Sequence, residues 1–529
     1  MTALDDPDSI VVRTMLEKGA QTKPDEEFVF FADEAAWTRR YAVEAAYGAA
    51  NVLRQIGVRQ GDRVSIFLPN GSDFLRAWWG AVTLGAVVVP INTGFKGKLL
   101  ANQIDLTSPS VLITDDSLGA RIDDAGVTVD YTQVHVRVLG TGADVHTPPP
   151  LDRPISHADT EFLILTSGTT GPSKLVPQSY MHCFLGGEPF VAKRNRGYAD
   201  CFLVDTPMYH STAMYMSSGA LHSGARIAVR EYPAMSTYWE VARDTGATLS
   251  VLMSTMVSFL EAQDPRPAEK EHNLQSVCAG PVPKDAKRFM DRFNIPEIVT
   301  GFGMSEFPAA TVSDPRDDLT PGYLGRVREG FEIRVVDEHD NDVPVGQAGE
   351  MVVRTDRSGA MMLAYEKNPE ATERAWRNGW FHSGDMVRVD EDGRYFYVDR
   401  IKDALRRRGE NISSAEVEEQ VRSHPAVSEA VCVPHRADGQ IEDEVKVWVV
   451  LHQGESFDPE SLFHHCVERL PYFMVPRFFE QIGELPRTGT GKIRKMELRL
   501  PGNGAATWDS EEVGYRLTRK GLVTRDSIS

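Results

Sequence analysis

Residues 165–174 read LTSGTTGPSK and close the apolar run that begins at Phe162. The string holds five hydroxyl residues, two glycines and a terminal lysine. Backbone N–H groups and hydroxyls in such a loop can surround phosphate oxygens, and small residues let the backbone approach the anion. The spacing is not that of a GxxxxGK[ST] Walker loop, and Leu175 follows the lysine. A solvated turn has a similar composition, but the length and the Pro-Ser-Lys ending favour an anion site.

On either side the chain alternates between short β-rich runs and helical stretches. Arg63–Leu68 (RVSIFL) and Ala86–Ile91 (AVVVPI) read as strands, with a helix over Phe74–Leu84 between them. This alternation predicts a parallel sheet covered by helices. Gly140–Pro154 is a Pro- and Gly-rich loop, after which EFLILTSG, CFLVDTP, ARIAVREY and ATLSVLMS continue the pattern. From Leu324 to Asp399 short strands separated by turns predict a small antiparallel or barrel-like piece. After the basic tract RIKDALRRRGEN, two helices and two strands predict a small α+β domain, and the polar tail beyond Pro501 reads as extended or partly ordered. The expected fold is α/β: a large N-terminal domain of parallel sheets with a small β-barrel-like subdomain (1–400), an α+β C-terminal domain (401–505) and a tail (506–529).

At 529 residues the chain needs at least two domains. Its 41% hydrophobic and 25% charged residues are ordinary for a globular protein. A net charge of −19 opposes binding to nucleic acid or an anionic membrane except through a local basic patch. The five cysteines, without CxxC spacing, argue against a disulfide framework or a cysteine-only zinc site. The acidic start MTALDDPDSI lacks a signal-peptide core, and the apolar stretch Ala77–Ile91 is shorter than the ~20 residues needed to span a bilayer. A cytoplasmic protein is expected, with neither nucleic acid nor membrane as partner.

Four further strings carry chemistry. Pro486–Lys492 (PRTGTGK) has Ile493 where a Walker loop needs Ser or Thr, but a Gly-flanked lysine suits delivery of one mobile charge to a developing negative one. A surface loop with an incidental lysine has the same composition. In Gly301–Glu306 (GFGMSE), Phe302 suits stacking on a flat base and Glu306 suits a hard cation. Trp380–Asp385 (WFHSGD) and Asp399-Arg400 offer a carboxylate and a guanidinium for ribose hydroxyls and phosphate. Taken singly, Phe302 also reads as core, Asp385 as a turn residue and Arg400 as a surface ion-pair member.

Their order along the chain resembles the adenylate-forming superfamily of acyl-CoA synthetases, aryl-CoA ligases, luciferase and nonribosomal peptide adenylation domains. The resemblance runs from about residue 27 to 500, over LTSGTTGPSK, GFGMSE, GEMVVRT, GWFHSGD, VDRIKD, RGENISSAEVE and PRTGTGK. The stretches from Ala371 to Arg400 and from Val445 to Cys466 look most similar to bacterial ligases of the crotonobetaine/carnitine-CoA type.

The resemblance implies an ATP- and Mg2+-dependent ligase that joins a carboxylic acid to AMP, then passes the acyl group to coenzyme A. It assigns Thr166, Ser167, Gly168, Thr169, Thr170, Gly171 and Lys174 to the β- and γ-phosphates, Ser305 to the α-phosphate and Glu306 to magnesium. Gly280, Pro281, Phe302 and Gly303 would line the adenine pocket, Phe302 standing where Tyr is common. Asp385 and Arg400 would bind ribose. Lys492 would bridge carboxylate and α-phosphate; its ordinary pKa of about 10.4 keeps it charged. His210, in PMYHSTA, matches the junction of acyl and thiol tunnels, whereas His464 and His465 read as ordinary helix residues. Met214, Tyr215, Met253, Ser254 and Met304 would form a deformable acid pocket favouring an aliphatic or aryl acid.

By the same resemblance the C-terminal domain is mobile: it swings about Lys402, withdrawing Lys492 and bringing the Gly409 loop to the thiol tunnel. Arg406–Arg408 departs from the usual glycine before Gly409. It reads either as an attractor for the 3′-phosphate of coenzyme A or as a solvated helix end. An adenylating synthetase passing the acyl group to an amine shares these motifs. An amino-acid-activating domain usually has Asp where Ser211 stands, and a non-catalytic nucleotide binder need not keep Lys492, Glu306 and Asp385 together. A monomer or homodimer is expected.

Overall fold

The computed structural model describes residues 6–524 apart from 33, 141–142, 167–173, 192–196, 233, 281, 401–404, 409, 413, 437–441, 487–492, 494, 500–502, 505 and 520, and apart from the side chains of 254, 255, 399, 400, 406, 411, 415 and 496. Strands Arg63–Phe67 and Val87–Pro90 lie parallel, Val64 opposite Val88, with helix Ser72–Thr83 between them in sequence. Their apolar runs are almost wholly buried, as expected of strands covered on both faces. That helix buries Trp78 and Trp79, and it packs tightly on helix Arg39–Gln55: a Cβ at Gly80 would come within 2.5 Å of the Ala49 Cβ.

Six strands form the first sheet, in the order Thr132–His135, Val111–Thr114, Arg63–Phe67, Val87–Pro90, Thr160–Thr166 and Lys174–Ser179. All pairs are parallel except the last, which is antiparallel with Thr166 opposite Lys174. A second sheet of seven runs Glu297–Val299, Ser276–Gly280, Leu249–Met253, Cys201–Val204, Arg226–Val229, Glu27–Phe31 and Trp37–Thr38, parallel but for its last pair.

The antiparallel region starts earlier than the texture of the sequence suggests. Gly301–Met304 pairs with Phe307–Val312, so an eight-stranded antiparallel sheet extends from Gly301 to Arg400. Among the described residues no helix is long and apolar enough to cross a membrane.

Beyond residue 404 a hairpin, Leu405–Arg407 with Glu410–Ile412, leads to helix Ser414–Arg422 and a sheet of Val427–His435, Glu444–Leu451, Phe478–Gln481 and Trp508–Asp509, covered by helix Pro459–Arg469. Two expectations are corrected here. The RRR tract is not a helix end. Arg407 lies on the hairpin, buried, with Nη2 2.6 Å from Glu444 and Nη1 donating to the Val475 carbonyl at 2.8 Å. Arg408 occupies the turn at φ +56°, the left-handed conformation glycine adopts most readily.

Nor is the tail loosely ordered throughout. Trp508–Asp509 joins the sheet edge, and Tyr515–Thr518 pairs with Gly521–Thr524. The anchors are aromatic: Tyr515 stacks on Phe463 at 5.4 Å, and Trp508 packs against Phe463 and Phe479. Two rings and a salt bridge from Arg477 to Asp509 do the work that extended periodicity does elsewhere.

Candidate active site

Cys201–Val204, Leu249–Met253 and Ser276–Gly280 end together, and a cleft of about 1990 Å3 opens beyond their C-terminal ends. Open parallel sheets place ligands there, where loops leave the sheet without obstructing it. A Cβ on Gly280 would meet nothing within 4 Å. The cleft continues to the C-terminal lobe, whose Arg408, Glu410 and Tyr472 complete its far wall.

At one end Thr166 and Lys174 are cross-strand partners, and both line the cleft. Lys174 Nζ lies over the Tyr365 ring, 4.4 Å from its centre, and the Tyr365 hydroxyl donates to Glu306 Oε1 at 2.8 Å. Burial, then the Glu306 carboxylate, push the Tyr365 phenol well above its ordinary range, which keeps it a donor. Glu306 is buried in the turn between its two strands, and its carbonyl accepts from the Met362 N–H.

Behind the turn runs a buried relay. Gln178 Nε2 donates to the Ser305 carbonyl at 2.7 Å and to the Tyr215 hydroxyl at 2.6 Å; Tyr215 in turn meets His182 Nε2 at 2.9 Å. Burial pushes the His182 imidazole down to about 3, leaving a neutral ring to accept the phenol proton. The relay fixes the turn without placing a charge beneath it.

The glycines of GFGMSE permit close strand approach. A Cβ at Gly303 would lie 2.7 Å from the Ala309 nitrogen, and one at Gly301 would lie 2.5 Å from the Thr311 carbonyl oxygen. Phe302 lines the cleft half-buried, with its N–H donating to Thr311 Oγ1. Asp385 is buried in the cleft wall and pairs in register with Arg400 across Trp380–Val389 and Tyr395–Arg400.

The junction between lobes is built from His210, which precedes helix Ser211–Ser223, and Glu410, on the hairpin after Arg408. His210 Nε2 lies 2.5 Å from Glu410 Oε2, and the Tyr209 hydroxyl donates to Oε1 at 3.2 Å. Burial disfavours the Glu410 charge, but the His210 imidazole and its hydrogen bond, Arg519 and the Tyr209 hydroxyl outweigh it and hold the carboxyl below its ordinary value. The carboxylate therefore accepts from the ring.

Of the acid-pocket residues, Tyr215, Met253 and Met304 line the cleft. Met214 does not: it is fully buried in the core beneath helix Ser211–Ser223. Ser211, Thr212, Tyr215 and Met216 share the cleft-facing side, as a 3.6-residue period requires, and Met214 falls on the other. Phe190, Met256 and Val257 join the lining. A Cβ at Gly187 would collide with the Tyr215 carbonyl at 1.9 Å, so glycine there seats the Tyr215 helix.

Ser167, Gly168, Thr169, Thr170, Gly171, Pro281, Lys402, Gly409 and Lys492 lie outside the described residues, as do the side chains of Ser254 and Arg400. The site also contains Tyr365, Gln178, His182 and Glu410, which motif reading passed over. Glu410 carried a signal, directly following Gly409 in RGEN; the other three reach the site only through strand register and helix packing.

A profile described as AMP-binding enzyme matches residues 16–365, and its C-terminal domain matches 416–492. Crotonobetaine/carnitine–CoA ligase of Salmonella typhi is 28% identical over 479 residues, 85% of this chain and 90% of that one. A double mutant of o-succinylbenzoate CoA synthetase (MenE) from Bacillus subtilis, bound with its product analogue OSB-NCoA, superposes with a TM-score of 0.81 at 22% identity, covering 94% of this chain and 99% of that one. MenE in complex with AMP gives 0.67 at 23% identity, covering 93% and 98%. With two thirds of its length matched by one family profile and most of its C-terminal lobe by the companion profile, the chain belongs to the AMP-binding enzyme family.

Proposed function

We propose that this chain is an ATP- and magnesium-dependent acyl-CoA ligase of the cytoplasm. A carboxylate oxygen bonds to the α-phosphorus of ATP as the bond to pyrophosphate breaks, giving an acyl-adenylate. The thiolate of coenzyme A then forms a C–S bond to the acyl carbon as the C–O bond to AMP breaks. In the first step positioning and electrostatic stabilisation dominate. Thr166, Ser167, Gly168, Thr169, Thr170, Gly171 and Lys174 take the β- and γ-phosphates, Ser305 the α-phosphate, Gly280, Pro281, Phe302 and Gly303 the adenine, and Asp385 with Arg400 the ribose. Lys492 supplies the bridging charge.

Glu306 would hold Mg2+, which shields phosphate charge. The residues fit that role: Glu306 is a buried carboxylate fixed by Tyr365, and no cluster of three His, Cys, Asp or Glu forms a metal cage among the described residues. Magnesium commonly takes one or two carboxylates and completes its sphere with phosphate oxygens and water.

The observation that carries the proposal is the His210–Glu410 contact, which joins the two lobes within the wall of one cleft. The larger overlap with the product-analogue form of MenE than with its AMP form supports reading this arrangement as the thioester-forming one. The methionine-lined pocket supports an aliphatic or aryl acid.

A panel of carboxylic acids with ATP and Mg2+, supplied with coenzyme A, an amine or neither, tests the reading by mass spectrometry. Thioester and AMP should form together with at least one acid. Amide formation, with no stimulation by coenzyme A on any acid, would overturn it.

A further inference from the structure

The C-terminal hairpin Tyr515–Thr524 lies beyond both family matches, which end at residue 492, yet it reaches the cleft. Arg519, at its turn, is solvent-exposed and part of the cleft wall. Its Nε donates to the Tyr472 hydroxyl at 3.1 Å, and its guanidinium lies 6.0 Å from the centre of the Tyr232 ring on the N-terminal lobe. Arg408 comes to the same place from the other side. Its guanidinium lies 5.4 Å from the centre of the Tyr472 ring, and Nη1 donates to the Leu517 carbonyl of the hairpin at 2.8 Å.

Two guanidinium groups thus converge on one tyrosine at the cleft mouth. Among the described residues neither has a carboxylate oxygen within the 4.0 Å of an ion pair. Of the nearby acids, Glu410 attracts Arg519 from beyond ion-pair distance but is hydrogen-bonded to His210 and Tyr209, and Glu442 accepts from the Arg408 backbone N–H at 2.6 Å. The chain carries 76 acidic residues against 57 basic ones, so two arginines side by side without a close ion-pair partner are not a matter of composition. Paired guanidinium donors beside aromatic rings match phosphate geometry.

We propose that Arg519, presented by the C-terminal hairpin, and Arg408 form a phosphate subsite for the thiol co-substrate at the mouth of the cleft. The inference rests on the acyl-CoA reading and adds to it a residue outside the matched domains. His210 and Glu410 lie in the same cleft wall, so a thiol anchored at this mouth by its phosphate would extend its arm toward them. It also gives Arg408 a use in a turn position where glycine is less strained: the side chain is what the position gains.

The test compares the parent, Arg519→Gln and Arg516→Gln in the full chain, with coenzyme A, dephospho-coenzyme A, phosphopantetheine and pantetheine as acceptors. Arg516 lies exposed on the same hairpin outside the cleft wall and controls for hairpin integrity. In Arg519→Gln, kcat/KM should fall about tenfold through KM for the phosphate-bearing thiols and less than twofold for pantetheine. Arg516→Gln should keep the parent's preferences. The step in the series at which the loss disappears identifies the phosphate that is read.

An unchanged preference in Arg519→Gln, or an equal loss on pantetheine, would overturn the subsite, the latter making Arg519 a contact that holds the lobes together. A parent that exchanges pyrophosphate into ATP but acylates no thiol would instead sink the acyl-CoA reading, and the subsite with it.

Discussion

His210 and Glu410 are 200 residues apart in sequence and 2.5 Å apart in space, one on each lobe of the cleft. The contact exists only when the Leu405–Ile412 hairpin is folded against the segment preceding helix Ser211–Ser223, so it reports lobe arrangement as well as chemistry. Glu410→Gln should slow thioester formation from a supplied acyl-adenylate by about ten- to a hundredfold, since a buried charge-assisted bond is replaced by a neutral one. Acid-dependent pyrophosphate exchange should fall much less. Equal losses in both assays would contradict a role confined to the second step.

The same pair sets a pH dependence. The Glu410 carboxyl is held below its ordinary value, so its contribution to stability is complete above about pH 4.3 and is lost as pH falls through the lower folded value. The difference in unfolding midpoint between parent and Glu410→Gln should shrink in solution more acid than about pH 4.3. A difference that persisted unchanged far into acid would place the stabilisation elsewhere.

Tyr365→Phe removes one oxygen, the donor to Glu306. A hydrogen bond to a buried charge contributes about 1.5–3 kcal/mol, and the stability of the folded chain should drop by about that amount. The magnesium concentration giving half-maximal pyrophosphate exchange should rise several-fold. An unchanged magnesium requirement would show that Tyr365 supports the fold and not the ion.

Glu161 behaves oppositely to Glu410. It is fully buried beside Trp78, whose Nε1 donates to it at 3.2 Å, and burial raises its pKa to about 8 against the lowering effects of Trp78 and Cys183. A raised folded value means stability present below the unfolded value of about 4.3 and lost as pH climbs through about 8. Glu161→Gln should flatten this decline, so that parent and variant differ more in their pH slopes of unfolding midpoint than in the midpoints at pH 5. Parallel slopes between pH 5 and 9 would refute the assignment.

Much of this architecture was legible in the chain. RVSIFL and AVVVPI read as buried strands because parallel strands covered on both faces leave almost no polar positions. Thr166, Lys174, Glu306 and Asp385 stand in the motifs, and the structure brings all four to the wall of one cleft. Other features were not legible, for physical reasons. Met214 and Met216 are the same residue type two positions apart, and only the orientation of the helix tells core from cleft. Tyr365 and Gln178 act through a hydroxyl and an amide whose contacts leave no spacing pattern. The tail lacks periodicity because Trp508 and Tyr515 anchor it ring by ring.

The central claim is that one chain makes the acyl-adenylate with a lysine from its C-terminal lobe and consumes it in a different lobe arrangement. Lys492→Ala, given an accepted acid, ATP and Mg2+, should show no detectable pyrophosphate exchange. Given synthetic acyl-adenylate and coenzyme A, it should form thioester at close to the parent rate. Parent-level exchange in the variant, or equal loss of both half-reactions, would contradict the account.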